Sequence, residues 1–307
     1  MCYDMQISDV SRTHKANRDK GLNIEDMIGC TVSTIGGLIR GIERAATQGY
    51  QCTQIYTTNS RTWKVSCANY ENVQEYSKQY GIRLIGHVPF IVNLASRDNS
   101  VREKSVKRLA QEIVCAHKCG INVLVIHPGS TLDGDVNRGI DCIIRAVCGV
   151  YDMCVEYNIV LALETMSGQG TQIGSTFEEL MSIIQGSVHN SHLAVCLDTC
   201  HIYAAGYQIE RWNHLNNILT EFDKIIGMER MKVIHLNNTK TGRGKRTDRH
   251  SSIFDGNICL ETFEKLVVDE RFERIPIIIE PPAKDSTGAE QVKYLQKKRM
   301  EIKGYEG

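Results

Sequence analysis

Six side chains of types that bind divalent metal ions recur at near-regular intervals along the chain. The intervals range from 34 residues (164 to 198) to 45 residues (235 to 280). Each of the six follows a short apolar run, and each interval is about the length of one strand-and-helix unit. They are His87, His127, Glu164, Asp198, His235 and Glu280. If the runs are parallel strands, all six side chains meet at one end of the sheet.

Three further candidates lie close to members of this series. His201 follows Asp198 by three residues, and Asp248 and His250 come in the loop after His235. Histidine and carboxylate donors without thiolates are typical of catalytic zinc or manganese sites. Nine donors exceed what one ion needs, so the sequence predicts two or three ions.

Closely spaced divalent ions favour in-line displacement at phosphorus, which predicts a phosphodiester substrate. A basic loop beside the last two candidates supports this prediction, because lysine and arginine bind phosphates. The loop contains Lys240, Arg243, Lys245, Arg246 and Arg249, with Gly242 and Gly244 between them. Its position next to two metal-binding side chains favours phosphate binding over a merely solvated loop.

Short apolar runs alternate with longer segments of helical period from Ile28 onward. The predicted strands are residues 28–32, 53–57, 83–87, 123–127, 159–164, 193–198, 233–236 and 276–280. The predicted helices include residues 38–48, 101–119, 140–157, 176–185, 214–226 and 260–268. Eight such units without a linker predict one closed α/β barrel of the (β/α)8, or TIM, type, with the metal site at the C-terminal rim of its strands. A doubly wound open sheet is the alternative, and the ring of metal-binding residues counts against it.

The predicted domain organisation is a mobile accessory extension, residues 1–27, followed by one barrel domain, residues 28–307. A targeting or partner-docking role is the alternative for the extension. The extension mixes acidic and basic residues without an apolar period. Across the chain 36 Lys and Arg balance 36 Asp and Glu, which excludes a protein that coats nucleic acid through bulk charge. Its 12 cysteines are dispersed, and this favours a reducing, intracellular compartment over a disulfide framework. We also expect no membrane span, because no apolar run is long enough.

The candidate residues lie within longer motifs. These are His127-Pro128-Gly129-Ser130, Leu197-Asp198-Thr199-Cys200-His201, His235-Leu236-Asn237-Asn238 and Asp248-Arg249-His250. Together they resemble the endonuclease IV family of apurinic/apyrimidinic (AP) endonucleases, over a stretch from about residue 28 to the last helix. All nine of the family's ligand positions hold the expected residue types.

The resemblance implies three zinc ions, with manganese as an alternative at one position. His87, His127 and Glu164 would hold the first ion, Glu164, Asp198, His235 and Glu280 the second, and His201, Asp248 and His250 the third. It implies hydrolysis of the phosphodiester 5′ to an abasic site, which leaves a 3′-hydroxyl and a 5′-deoxyribose phosphate. A 3′-phosphodiesterase or 3′-exonuclease side activity is also implied. Glu164 and Glu280 would be the catalytic carboxylates, with Glu280 orienting the nucleophile.

The implied partner is double-stranded DNA with abasic sites or blocked 3′ ends, bound by a monomer in the cytoplasm, the nucleus or a virus particle. The residues expected at the DNA are Asn59, Arg61, Phe90, Gln169, Arg246 and Arg249. Extruding a nucleotide is easiest where its base is already missing. Phe90 stands where the family usually has a tyrosine, and Thr31, Thr165 and Pro281 are further departures. These departures concern the contacts to DNA rather than the reaction type.

Two other functions stay open on the sequence alone. A metal-dependent sugar isomerase or epimerase on a similar barrel needs one or two ions and would leave Asp248 and His250 without a purpose. A non-catalytic nucleic-acid-binding module would use metal only for stability, and a neutral chain binds DNA weakly. Metal removal separates the classes, because the module should lose stability whereas the enzyme should lose turnover first.

Overall fold

Eight parallel strands of the chain close into a barrel. The computed structural model describes residues 27–65, 70–282 and 288–303. The barrel strands are β1 (Ile28–Thr31), β2 (Cys52–Ile55), β3 (Arg83–His87), β4 (Val123–Ile126), β6 (Val160–Glu164), β8 (Leu193–Asp198), β9 (Met231–His235) and β10 (Ile277–Ile279). Two short strands outside the barrel, β5 (Gly129–Ser130) and β7 (Gln172–Ile173), pair antiparallel. The barrel order is β1-β10-β9-β8-β6-β4-β3-β2. The prediction of a TIM barrel is confirmed, and pairing of β1 with β10 excludes the open sheet.

Helices connect successive strands and cover the outside of the barrel. Over the described residues they are α1 (Leu38–Thr47), α2 (Val73–Tyr80), α3 (Asn99–Lys118), α4 (Val136–Gly149), α5 (Tyr151–Tyr157), α6 (Phe177–Gly186), α7 (Thr199–Ala205), α8 (Trp212–Ile225), α9 (Leu260–Val268) and α10 (Gly288–Lys303). Side-chain caps fix several of the starts. The carboxylate of Asp98 accepts a hydrogen bond from the Ser100 amide at α3, and Asp135 accepts one from Arg138 at α4. Such caps satisfy amides that have no partner within the helix.

The barrel interior is filled by a small apolar layer from alternate strand positions. It comprises Met27, Cys52, Ile85, Val123, Val125, Ala162, Ala194, Cys196, Val233 and Ile278. Successive side chains of a strand point to opposite faces, so the residue two positions further on faces inward as well. By that rule Glu164, two residues after Ala162, and Glu280, two residues after Ile278, also face the barrel interior. The metal-binding candidates therefore form the top layer of the barrel interior.

A larger apolar layer lies between the strands and the helices. It includes completely buried side chains such as Phe177 and Leu180 on α6, Phe222 on α8 and Phe263 on α9. Each large apolar side chain buried in this way contributes about 1.5–3 kcal/mol relative to exposure. This layer holds the helices against the barrel, and so fixes the loops that start at its C-terminal end.

Most predicted strands and helices begin and end within two residues of the observed ones, and two differences are informative. The single helix expected over residues 140–157 is two helices, α4 and α5, separated at Val150. Gly149 and Val150 both have low helix propensity, and Val150 is buried where the chain turns. The second strand ends at Ile55 instead of residue 57, and the Thr57 hydroxyl beyond it donates a hydrogen bond to Glu112 on α3.

Met27 belongs with the barrel rather than with the N-terminal extension. Its side chain is buried in the barrel interior, and its carbonyl accepts a hydrogen bond of 2.7 Å from the Ile277 amide. The remainder of the expected extension, residues 1–26, lies outside the described residues.

None of the helices in the described part of the chain combines the length and the apolar character that crossing a membrane requires.

Candidate metal centre

All nine candidate donors meet at the C-terminal end of the barrel. Three groups drawn entirely from these nine residues bring their donor atoms within 4.8 Å of one another. The groups are His87, His127 and Glu164; then Glu164, Asp198, His235 and Glu280; then His201, Asp248 and His250. These are the three sets that the family resemblance implies. The first two groups adjoin because Glu164 belongs to both of them.

Glu164 lies at the centre of this arrangement. One carboxylate oxygen, Oε2, is 3.2 Å from Nε2 of His87 and 3.0 Å from Nε2 of His127. The other, Oε1, is 3.0 Å from Nδ1 of His235. Since the Glu164 side chain is only 1% exposed, its charge is held among these rings with almost no water to solvate it.

Four of the histidine rings are oriented by a carbonyl group on the side away from the centre. The bonds run from His87 Nδ1 to the Val88 carbonyl (2.8 Å), from His201 Nδ1 to the Thr165 carbonyl (2.8 Å), from His250 Nδ1 to the Glu280 carbonyl (3.3 Å) and from His235 Nε2 to Oε1 of Gln54 (2.8 Å). A ring nitrogen that donates to a carbonyl leaves the other nitrogen with its lone pair free. Each of these rings therefore presents a lone pair to the centre, the tautomer that a metal ligand needs.

The facing atoms fit a bound cation. A histidine lone pair and a carboxylate oxygen are both acceptors, so the 3.2 Å from His87 and the 3.0 Å from His235 to the Glu164 carboxylate require a proton or a positive ion between the atoms. In the described part of the chain, Nε2 of His201 and Nε2 of His250 are buried without a hydrogen-bond partner. Both atoms point towards Asp248, at 3.3 and 3.4 Å from its Oδ1. Oxygen and nitrogen donors in this arrangement suit divalent ions such as zinc.

The pKa values of several histidines and carboxylates in the centre are shifted in opposite directions, as expected where the two types of group lie close together and hold a proton between them. Burial lowers the pKa of His201, but the charge of Asp198 and the proximity of the Asp248 carboxylate raise it well above its ordinary value. Burial raises the pKa of Glu164, but His235 and His127 outweigh it and hold that pKa well below the usual range. Burial likewise raises the pKa of Asp248, but the adjacent His201 ring brings that pKa down to about 2. Protons and metal ions would therefore compete for the same positions.

Asp198 connects the end of β8 to the start of α7. Its Oδ1 caps the helix by accepting the amide of His201 at 2.9 Å, which places His201 in the first turn. Its Oδ2 accepts a hydrogen bond of 2.7 Å from Nδ2 of Asn237. The Thr165 hydroxyl accepts the Asp198 amide at 2.9 Å. Thr165, one of the departures from the family pattern, thus helps to hold two donors, Asp198 and, through its carbonyl, His201.

Two residues of the centre, Gln54 and Asn237, were not among the predicted site residues. Gln54 accepts from His235 and donates at 2.7 Å to Oε1 of Glu280. Asn237 donates to Asp198 and, at 3.3 Å, to Oε2 of Glu280, whose amide it also accepts. The inward-facing phase of β2 could have shown Gln54, because it comes two positions after the interior residue Cys52.

The loop that carries Asp248 is anchored on neighbouring loops and on α7. The amide of Gly244 donates to the Tyr203 carbonyl, and that of Arg246 to the Ala204 carbonyl, at 3.2 and 2.9 Å. Arg246 adopts a φ of 49°, a left-handed conformation that costs free energy outside glycine. Gln169, expected at the DNA, accepts the Asp248 amide at 3.0 Å through its side-chain oxygen. The loop is therefore held in a defined shape.

The other residues expected at the DNA surround the same end of the barrel. Arg61 and Phe90 are exposed in the loops after β2 and β3, and Arg246 and Arg249 lie at the surface of the loop after β9. Asn59 is exposed as well, and its side-chain oxygen accepts the Arg61 amide at 2.9 Å. A cavity of about 300 Å³ beside His250 is lined in part by Lys240, Arg249, Ser251 and Ser252.

The cysteines that flank Asp198 are both buried. Cys196 faces the barrel interior one layer below Asp198. The sulfur of Cys200 lies within 4.8 Å of donor atoms of Asp198 and His250. Burial, reinforced by the charge of Asp198, raises the pKa of Cys200 to about 12. A thiol of that pKa stays protonated, which is consistent with a packing role.

Known proteins resemble this chain in both sequence and fold. The family described as "Xylose isomerase-like TIM barrel" matches residues 42–298. A protein of Trichlorobacter lovleyi named "Probable endonuclease 4" is 34% identical over 273 residues, which cover 88% of this chain and 97% of that protein. The chain belongs to the endonuclease IV family.

Solved structures agree with this membership. Endonuclease IV from Thermus thermophilus superimposes with a TM-score of 0.77 at 28% identity, over 89% of this chain and 99% of that one. A D-tagatose 3-epimerase-like protein also superimposes, with a TM-score of 0.67 at 23% identity over 89% and 97% of the two chains, and this likeness shows the fold alone. The predictions of an endonuclease IV resemblance and of a nuclease-type enzyme are confirmed.

Proposed function

We propose that the chain is a zinc-dependent AP endonuclease of DNA base excision repair. It would hydrolyse the phosphodiester 5′ to an abasic site and leave a 3′-hydroxyl and a 5′-deoxyribose phosphate. The observation that carries the proposal is the meeting of three donor groups around Glu164 at one end of the barrel. Sequence relatives named as endonucleases, matched over nearly their whole length, support the same function.

The three donor groups would each hold one ion. The first would lie with His87, His127 and Glu164, the second with Glu164, Asp198, His235 and Glu280, and the third with His201, Asp248 and His250. Zinc suits this mixture of nitrogen and oxygen donors, and manganese is the alternative at one position. When bound, such ions supply Lewis-acid stabilisation of negative charge on phosphoryl oxygens and promote the deprotonation of water.

Access to the centre determines where the substrate enters. The side chains of Glu164, Asp198, His201 and His235 are at most 2% exposed and form a closed floor. Asp248 is 35% exposed, His127 27%, and His250 and Glu280 are each 18% exposed. A phosphate group would therefore meet the centre on the side of these four residues.

Glu280 would hold the attacking water in line. It is a carboxylate that both belongs to the buried donor set and reaches the opening. Gln54 and Asn237 each donate to one of its oxygens, so its orientation is fixed before substrate arrives. A fixed acceptor of this kind positions a water molecule without reorganisation during the reaction. Glu164 would instead keep the two ions of its groups at a constant separation.

The loops around the opening would bind the DNA. Arg246 and Arg249 would contact the backbone phosphates, and Gln169 would hold Asp248 while lying beside the strand. Arg61 and Phe90 would enter the base stack, with Asn59 shaping the turn below Arg61. Selectivity for abasic sites follows physically, because a nucleotide without its base costs least to extrude. The same opening would admit blocked 3′ ends, which is the basis for a 3′-phosphodiesterase or 3′-exonuclease activity.

A sugar epimerase is the competing function for this barrel. Its support is a likeness of fold below 25% identity. The third donor group, with Asp248 and His250 beside a basic loop, has a purpose in phosphodiester hydrolysis and none in moving a proton on a sugar. We therefore retain the proposal that the chain is a nuclease.

Incision of a duplex carrying one tetrahydrofuran abasic analogue tests the proposal. The wild-type chain should cut 5′ to the lesion and leave a 3′-hydroxyl. Stripping the metal should abolish cutting, and zinc should restore it. Loss of thermal stability on stripping, with no cutting by the loaded protein, would instead indicate the non-catalytic binding module. Conversion of a ketose by the loaded protein, again without cutting, would indicate the epimerase.

A further inference from the structure

A buried ion pair lies outside the metal centre, on helix α3. Nε of Arg108 is 2.7 Å from Oε1 of Glu112, one helical turn further on. The two side chains are 1% and 0% exposed, and Arg108 is among the largest fully buried side chains of the described residues. Replacing a buried ion pair by apolar residues is often neutral or stabilising, so burial of this kind is weak evidence of a role in stability.

The other side-chain hydrogen bonds of this pair go to the loop after β2. Arg108 donates to the carbonyls of Thr62 (2.6 Å) and Asn59 (3.1 Å), and to the hydroxyl of Thr58. Glu112 accepts from the hydroxyls of Thr57 and Thr58, one on each carboxylate oxygen. A buried polar network in which all members are satisfied is rigid. The pair therefore fixes the backbone of residues 57–62 to the body of the barrel.

The two carbonyls that Arg108 holds lie on either side of Arg61. The Arg61 amide is itself bonded to the side chain of Asn59, while its own side chain is exposed. The peptide of Arg61 is thus held between two anchored neighbours. The guanidinium group is left at the surface of the loop.

We propose that Arg108 and Glu112 are positioning residues that set the loop of residues 57–62, and so present Arg61 to a DNA duplex in a fixed orientation. The inference rests on the proposed function, since it names DNA as the partner of Arg61. A loop that is already ordered loses less conformational freedom when it binds. Removing the pair should therefore weaken binding of damaged duplex and leave the hydrolytic step unchanged.

The test replaces both partners together, as R108M/E112L, so that no buried charge loses its partner. Affinity for a duplex with one tetrahydrofuran site, measured by fluorescence anisotropy, should fall about tenfold. KM should rise, whereas kcat, the metal content and the melting temperature should keep their wild-type values. In the R61A background the same double change should have no further effect on affinity. The matched control is K265M/E261L, which removes an exposed ion pair of the same i,i+4 spacing on α9, and it should change nothing.

Hydrogen exchange of the Arg61 amide gives a readout that does not depend on activity. It should speed up in R108M/E112L and in R108K, whose single ammonium cannot span both carbonyls, and should stay slow in the control. An equal loss of affinity on introducing R108M/E112L with and without Arg61 would overturn the inference. Unchanged exchange in R108K would overturn it as well, and this result can be read even if the double variant fails to fold. If the wild-type chain shows no preference for the abasic duplex, the proposed function fails instead, and exchange still decides whether the pair orders the loop.

Discussion

The donors on the barrel strands and the donors on the loop after β9 are held in different ways. Glu164 and His235 end strands that pair with a neighbour on each side, and they are 1% and 0% exposed. Asp248 and His250 rest on hydrogen bonds to Gln169 and to the Glu280 carbonyl, and they are far more exposed. The strands thus supply a floor that is independent of the substrate. The loop supplies the part of the centre that stands beside the basic side chains.

The strongest test of this difference removes the central carboxylate of the floor. Glu164→Gln takes away the charge that two of the donor groups share, so the protein should lose bound metal and about a thousandfold in incision rate. Metal analysis and single-turnover incision measure both. Glu178→Gln, on the exposed face of α6, is the matched control and should behave as wild type. Full metal content in the Glu164 variant would contradict a shared bridging carboxylate.

A substitution of Glu280 tests whether this residue orients the attacking water in addition to binding metal. Glu280→Gln keeps an oxygen donor in place but removes the charge that would orient the nucleophile, so most of the metal should remain while the rate falls about a hundredfold. Metal analysis and single-turnover incision again measure the two effects. Near wild-type turnover would refute the assigned role, and loss of all metal would make Glu280 part of the floor alone.

A substitution of Gln54 tests whether its hydrogen bonds to His235 and Glu280 contribute to metal affinity. Gln54→Ala removes the hydrogen-bond partner of His235 and of one oxygen of Glu280, so zinc affinity should fall about ten- to a hundredfold. Competition with a chromophoric chelator measures this loss. Gln185→Ala, exposed on α6, should leave the affinity unchanged. Equal affinities of the two variants would mean that the strand ladder alone positions the His235 ring.

Arg61 belongs to the opening and should affect binding without touching the floor. Arg61→Ala should weaken affinity for the abasic duplex about tenfold at moderate salt, with the metal content of the wild type. Anisotropy titrations over a range of salt concentrations measure it. Lys78→Ala removes one positive charge from α2 and serves as the control. If both variants lose the same affinity, only bulk charge is at work.

The pH dependence of the stability of the metal-free protein should show whether the buried donors of the floor bind protons where metal is absent. His201 and His235 have a folded-state pKa raised above the ordinary 6.5, so their contribution to stability is complete below about 6.5 and is lost as the pH rises through the raised value. Glu164, whose pKa is lowered, contributes above about 4.5 and loses this contribution as the pH falls. Metal replaces the protons, so the gap in melting temperature between loaded and chelated protein should widen with rising pH. A constant gap from weakly acidic to alkaline pH would contradict the competition.

The sequence was most informative where the chain is most regular. A strand that ends in a donor keeps its phase relative to the interior layer, so His87, Glu164 and Asp198 could be placed at one rim from spacing alone. Nine donor identities then indicated the chemistry, and the family resemblance gave the same three groups that the fold brings together.

Other features depended on contacts that spacing does not record. Glutamine is not a metal-binding residue type, so the only signal for Gln54 was its inward-facing position on β2, and its bonds to His235 and Glu280 came from the structure. Just beyond the early end of β2, Thr57 likewise bonds Glu112, which lies 55 residues further on in the sequence. The break at Val150 arises from local propensity that the apolar period concealed. Residues 1–26 lie outside the described part, and their predicted accessory role stays a prediction.

The double attachment of Asp198 limits which residues can replace it over evolutionary time. Serine, threonine, asparagine and aspartate all cap a helix, but of these only aspartate offers the anionic oxygen favoured by a divalent ion. Glutamate keeps the charge and is too long to bond the His201 amide in the same way. A lineage that altered this position would lose the start of α7 or the charge beside it. A substitution of Asp198 therefore removes the helix cap, the anionic donor or both, whereas a substitution of Asp248 removes a donor and leaves the start of α7 in place.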